Sequence, residues 1–244
     1  MDKKQKTSLS FLFLSTFFFV TWILPQTRAL WDIVDKEIFY FLNSSLEGGR
    51  IWQLFWVMAN MHFFDIFMFL FITIFFALWV YEDKKRISFF LYGLFWGEIG
   101  ILFLKQCVAP SLHVFHMERA SPSLLLSKTI LLSQTVPWLA LKDYAFSCFP
   151  SDHGEIILQW FLFVCVFCSK RYRLLALLSS LFFLLPRLVC GAHWFSDIFV
   201  GSFFVASLVT SVAFIPKVYE EIMGLLFVLI KKMIGKKEHA YESV

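Results

Sequence analysis

The sequence predicts an all-α polytopic membrane protein, with six transmembrane helices and amphipathic helices at the interface. Three observations carry that prediction. The 244-residue chain is 59% hydrophobic and 20% aromatic, with 33 Phe. Only 16% of its residues are charged, against about a quarter in an ordinary soluble domain. Long uncharged apolar runs recur near the length a bilayer core requires, about 17–25 residues per helix. Residues 1–244 therefore read as a single integral membrane domain. The net charge of +4 carries no nucleic-acid signature, because the basic residues stand in short clusters between apolar runs.

The first run, 8–24, follows Lys3, Lys4 and Lys6. It is long for a signal-peptide core and lacks a small-residue cleavage site, so it reads as an uncleaved span. Residues 30–60 mix Trp, Phe, Asp and Lys, the composition of interfacial amphipathic helices. Further spans are expected at 63–81, 87–105, 154–169, 172–190 and 197–215. The longest polar-containing connection is 105–149. After Pro216, residues 217–237 form an amphipathic pattern with a basic end, suited to an anionic leaflet.

Lys and Arg concentrate in cytoplasmic loops. Here they cluster at Lys3, Lys4 and Lys6, at 84–86, at Lys170, Arg171 and Arg173, and at Lys231, Lys232, Lys236 and Lys237. These clusters alternate along the chain as six spans with both termini inside require. The 105–153 connection and the 190–197 turn then share the outer face. His153 and His193 reach that same face.

Five Cys show no disulfide spacing. Cys165 and Cys168 lie inside an apolar run, without the context of a redox pair. Cys107 and Cys148 flank the long connection and are candidates to pair in an oxidising compartment.

The chemistry concentrates in two strings, Phe-Pro-Ser-Asp-His-Gly at 149–154 and Pro-Arg-Leu-Val-Cys-Gly-Ala-His-Trp-Phe-Ser-Asp at 186–197. Ionisable groups at the ends of apolar spans are expensive and usually functional. His193 and Asp197 are four apart, so a helix beginning here would place both on one face. The carboxylate would fix the imidazole tautomer and free the other nitrogen to attack phosphorus. His153, from another span, suits a general acid. Arg187 and Arg119 offer bidentate donors to phosphoryl oxygens. Ser151 and Asp152 stand where the fourth span begins, with free N–H groups facing an anion. Asp152 with Glu155 also resembles a helix-capping pair, and a structural cap is the reading favoured for Asp152. His62, His113 and His116 fit no zinc-ligand spacing, and the scheme needs no metal. Glu98 and Glu155 are either buried structural acids or headgroup contacts.

At these residues the chain resembles the type 2 phosphatidic acid phosphatase superfamily. Its third block (Arg, five residues, His, three residues, Asp) is matched by Arg187, His193 and Asp197. Its second, Pro-Ser-Gly-His, is matched at three of four places by 150–153. Its first, Lys, six residues, Arg-Pro, fits poorly: Arg119-Ala-Ser-Pro122 displaces the Pro, and Lys105 stands far upstream. The strings Arg-Ala-Ser-Pro, Lys142-Asp143, Phe-Pro-Ser-Asp-His-Gly and Gly-Ala-His-Trp-Phe-Ser-Asp-Ile are similar to the lipid A 1-phosphate phosphotransferases of Gram-negative inner membranes. The early string 37–43 looks similar too.

The resemblance implies transfer of a phosphoryl group from undecaprenyl diphosphate to the 1-phosphate of lipid A, without cofactor or metal. His193 would be the nucleophile, Asp197 its orienter and His153 the general acid. Arg119, Arg187 and Ser151 would hold the phosphate, with Lys142 and Lys105 as candidates for the missing lysine. The same residues serve a phosphatase with water as acceptor. A transporter or scaffold lined by intramembrane charges is the reading from a different class, and it would be indifferent to His193.

Overall fold

The computed structural model describes residues 3–115, 117–139 and 141–241, with side chains as far as Lys232. The described residues form helices and turns without strands. α1 (Lys3–Ile23) runs into α2 (Pro25–Ser44) across Leu24, with Pro25 opening the second helix. α3 (Arg50–Ala59) and α4 (His62–Glu82) follow. α5 (Ile87–Phe103) continues through a π-helical turn, Leu104–Val108, into the short α6 (Ala109–Val114). The long connection carries only two single-turn helices, α7 (Pro122–Leu125) and α8 (Leu132–Thr135). Then come α9 (Asp152–Phe167), α10 (Lys170–Val189), a π-helical turn (Asp197–Ser202), α11 (Phe203–Ala213) and α12 (Pro216–Tyr241).

Four of the expected spans are helices long and apolar enough to cross a bilayer: Lys3–Ile23, His62–Glu82, Lys84–Val114 and Lys170–Val189. The expected spans 154–169 and 197–215 differ. α9 has 16 residues, about 24 Å at 1.5 Å per residue, and α11 is bent by 74° from α12. By length and composition, four helices among the described residues qualify as spans, or five if the bent pair is one span, so six are not established. The physical reason lies in packing. α9 is the central helix, enclosed by α1, α5, α10 and α11, so its surroundings are protein rather than lipid. It carries Glu155 and Gln159, both fully buried without hydrogen-bond partners on their side chains. Glu98, by contrast, is exposed on α5.

α2 and α3 supply the interfacial layer expected over 30–60. In α2, Asp35, Phe39 and Asn43 are buried at a spacing of four, the inward stripe of an amphipathic helix. Leu30, Ile33 and Phe41 face outward. Asn43 clamps the long connection, bonding both the N–H and the carbonyl of Ile130 and the carbonyl of Val189.

The basic clusters at Lys4, 84–86 and 170–173 gather at one end. The Lys4 ammonium lies over the rings of Phe89, Phe167 and Tyr219. Glu82 receives Arg86 from its own end of the bundle and Arg171 and Tyr172 from α10. The candidate functional residues stand at the opposite ends of these helices.

Among the described residues all five cysteines are free. Cys148 is buried with its thiol donating to the Arg119 carbonyl at 3.2 Å, whereas Cys107 is exposed. The Cys107–Cys148 pairing that the sequence left open is not formed in this structure. Cys165 and Cys168 are buried packing residues.

Candidate active site

Helix ends build the site. α4 begins with His62 and Asp65, α9 begins at Asp152 with its apolar run starting at Gly154, and α10 ends with Arg187. They enclose a cavity of about 550 Å³ lined by Asn60, His62, Asp65, Lys142, Asp152, His153 and Arg187, together with Leu141 and Tyr144.

His193 belongs to the turn after α10 rather than to a helix, which corrects the expected helical register. Gly191, at φ 78°, reverses the chain, a conformation that favours glycine. The His193 N–H then returns to the Arg187 carbonyl at 3.3 Å. His193 and Asp197 nonetheless meet, with Nδ1 3.4 Å from Oδ2. A shorter contact joins Nδ1 to the Cys148 carbonyl at 2.9 Å. A carbonyl only accepts, so Nδ1 carries the proton and the lone pair of neutral His193 lies on Nε2.

Asp197 is completely buried and fully engaged. It accepts from the Trp194 N–H at 2.8 Å and from Arg119 through Nε at 2.9 Å and Nη2 at 2.6 Å. Arg119 also donates through Nη1 to Asp35 at 2.8 Å and through Nη2 to Ser196 at 2.5 Å. Trp22, Phe149 and Trp194 surround its guanidinium. Arg119 is thus committed to two carboxylates behind His193. Burial pushes the Asp35 carboxyl up, against the lowering effect of Arg119.

Ser151 is buried and is the N-cap of α9, its hydroxyl accepting from Gly154 at 3.1 Å. The cap expected of Asp152 and Glu155 falls to Ser151, because Ser151 holds the extended backbone conformation an N-cap needs. Asp152 stands one residue later and bonds the His153 N–H at 2.8 Å. Ser202 ties α9 to the final bundle helix by bonding both the Ser151 and Asp197 carbonyls.

His153 lines the cavity, its Nε2 3.6 Å from Asp65. Burial, then the Arg187 charge, push His153 below the usual histidine range, against the opposing pull of Asp65 and Asp152. His193, which is not among the residues lining the cavity, contributes least to that depression. Arg187 donates through Nη2 to Asp65 at 3.0 Å. Lys142 lines the cavity with Nζ 3.9 Å from Asp152. Lys105 stands exposed on the π-helical turn after α5 and does not line it.

Residues 96–220 match the PAP2 superfamily. The chain belongs to that superfamily. It is also 29% identical to the lipid A 1-diphosphate synthase of Escherichia coli (strain K12) over 188 residues, 75% of this chain and 76% of that protein. No solved structure matches.

Around the candidate site, sequence reasoning missed Asp35, Asp65, Asn60 and the Cys148 carbonyl. The first three lie upstream of the matched region, and a main-chain acceptor leaves no mark on a side-chain motif. Asp65 had one signal, an acid at the third position of the apolar run 63–81. Cys148 Sγ, His193 and Asp197 also present possible ligand atoms within 4.8 Å of one another. Burial pushes the Cys148 thiol far up, which opposes the thiolate that a metal requires. Nδ1 and the carboxylate already hold hydrogen bonds. His116 lies outside the described residues, and His113 pairs with Glu118 at 2.8 Å.

Proposed function

We propose that this protein transfers a phosphoryl group between lipids through His193. Undecaprenyl diphosphate is the donor and the 1-phosphate of lipid A the acceptor. The observation that carries the reading is the Nδ1 bond to the Cys148 carbonyl, which leaves Nε2 as the nucleophilic nitrogen. Nε2 attacks phosphorus, a P–N bond forms, and the bridging P–O bond breaks. The electron pair stays with the departing lipid oxygen, which takes its proton from His153. An oxygen of the acceptor phosphate then attacks the phosphohistidine, forming a new P–O bond and returning the lone pair to Nε2.

Asp197 steadies the imidazole and stabilises its positive charge as the P–N bond forms. Arg187 and Lys142 hold phosphoryl oxygens. Arg119 and Ser151 act as positioning residues, one on Asp197 and one on the start of α9. None of these steps calls on a metal, and a chelator is expected to leave turnover intact.

Lipid substrates fit a second feature. An apolar groove of about 240 Å³ is lined by Met68, Phe69 and Ile72 of α4 and by Ile156, Trp160 and Phe163 of α9. The same two helices present Asp65 and His153 to the polar cavity one turn earlier. Residues 1–244 act as one membrane domain in a bacterial inner membrane. Both termini are read as cytoplasmic and the site as periplasmic; the shared end of the clusters at Lys4, 84–86 and 170–173 supports the sidedness of the site.

A phosphatase using water shares all these residues, and the acceptor decides between the two. Purified protein with labelled undecaprenyl diphosphate should pass label to lipid A. Release of free phosphate at one rate, with or without lipid A, would instead establish the hydrolase.

A further inference from the structure

Arg187 is the cation that the phosphoryl-transfer reading gives to the substrate, and this inference rests on that reading. Its guanidinium already holds an anion of the protein's own. Asp65 accepts from Nη2 through Oδ1 at 3.0 Å and Oδ2 at 3.4 Å. Oδ1 also lies 3.6 Å from His153 Nε2, and Oδ2 3.6 Å from His62 Nδ1. One carboxylate therefore sits among a guanidinium and two imidazoles, the company a phosphoryl group requires.

Exposure decides which partner yields. The Arg187 side chain is 7% exposed and His153 13%, whereas Asp65 is 31% exposed. Arg187 is fixed in the last turn of α10, with Nη1 turned to Asn60 at 3.4 Å. Asp65 stands on the first turn of α4 and has solvent to rotate into.

We propose that Asp65 is a built-in competitor for the phosphoryl anion, displaced from Arg187 by a headgroup that carries enough negative charge. It holds Arg187 and His153 in register, and it sets a threshold. A diphosphate, with more charge and more acceptor oxygens, clears that threshold more readily than a monophosphate or inorganic phosphate. Asp65 is thus a specificity-determining residue.

The test compares wild type, Asp65→Asn and Asp65→Glu in detergent. It reads turnover of a lipid monophosphate and of undecaprenyl diphosphate, inhibition by inorganic phosphate, and phosphate binding by calorimetry. Asp65→Asn should bind phosphate several-fold more tightly, and its KM for the monophosphate should fall more than that for the diphosphate. Asp65→Glu, which keeps the charge, should not show the tighter phosphate binding of Asp65→Asn. Phosphate binding equal to or weaker than wild type in a folded Asp65→Asn would overturn the proposal.

Should that variant not fold, infrared difference spectra of the wild type give a second reading. Added phosphate should move a carboxylate stretch away from its guanidinium-paired frequency, and an unmoved carboxylate region would overturn the idea. Tighter phosphate binding in Asp65→Asn, in a protein that turns over neither lipid, supports the competitor role while removing the catalytic reading.

Discussion

Arg119 and Asp197 are joined by two hydrogen bonds, from Nε at 2.9 Å and from Nη2 at 2.6 Å, in a site where the carboxylate is wholly buried. A second buried acid, Asp35, takes Nη1 of the same guanidinium. The cation thereby balances two carboxylates and fixes the acid behind His193. Its nearest role is positional, and its removal should show as instability as well as lost turnover.

Arg119→Ala leaves two buried carboxylates without their cation. Breaking a buried pair in this way costs about 3–5 kcal/mol, and the melting temperature in detergent should fall accordingly. Arg119→Lys should rescue little, because a single ammonium cannot reproduce the fork that spans Asp35 and Asp197. A Lys variant as stable and active as wild type would remove the positional role.

Replacing His193 by Gln should lower kcat by about 10⁴-fold or more, the scale of a lost nucleophile. Acid-labile labelling of the protein from a ³²P-labelled lipid diphosphate should disappear with it. Unchanged turnover would remove the nucleophile role from His193.

His153 must be protonated to assist the leaving oxygen. Burial and then Arg187 lower its pKa, so the protonated fraction declines at lower pH than for an ordinary histidine. The basic limb of kcat/KM should therefore lie below about 6.5. Asp65 pulls in the opposite direction, so Asp65→Asn should move that limb lower still. A limb unmoved in Asp65→Asn would mean that another group is titrating.

The two lysine candidates separate cleanly. Lys142 lines the cavity and Lys105 does not. Lys142→Ala should raise KM for a lipid phosphate while leaving the melting temperature close to wild type; Lys105→Ala should alter neither. Equal effects of the two on KM would contradict the cavity assignment.

Gly201 tests the scaffold beneath His153. A Cβ there would come within 2.7 Å of the Phe149 ring and 2.8 Å of Pro150, and Phe149 is itself stacked on Trp22. Gly201→Ala should destabilise by about 1–3 kcal/mol, the usual cost of overpacking. Thermal unfolding in detergent measures it.

By itself the sequence determined the helical membrane class and singled out the two strings that carry the candidate site. Hydropathy acts locally, so the apolar composition of a span is written along the chain. It also paired His193 with Asp197 correctly, though through a turn rather than a helix face. The tertiary structure alone decided what those residues touch. Asp35 and Asp65 are single acids in distant segments, without spacing that relates them to Arg119 or Arg187. The acceptor that sets the His193 tautomer is a main-chain carbonyl. The burial of α9, a 16-residue helix at the centre of the bundle, depends on its neighbours. Contacts between groups far apart in sequence follow from packing, and packing is a property of the folded whole.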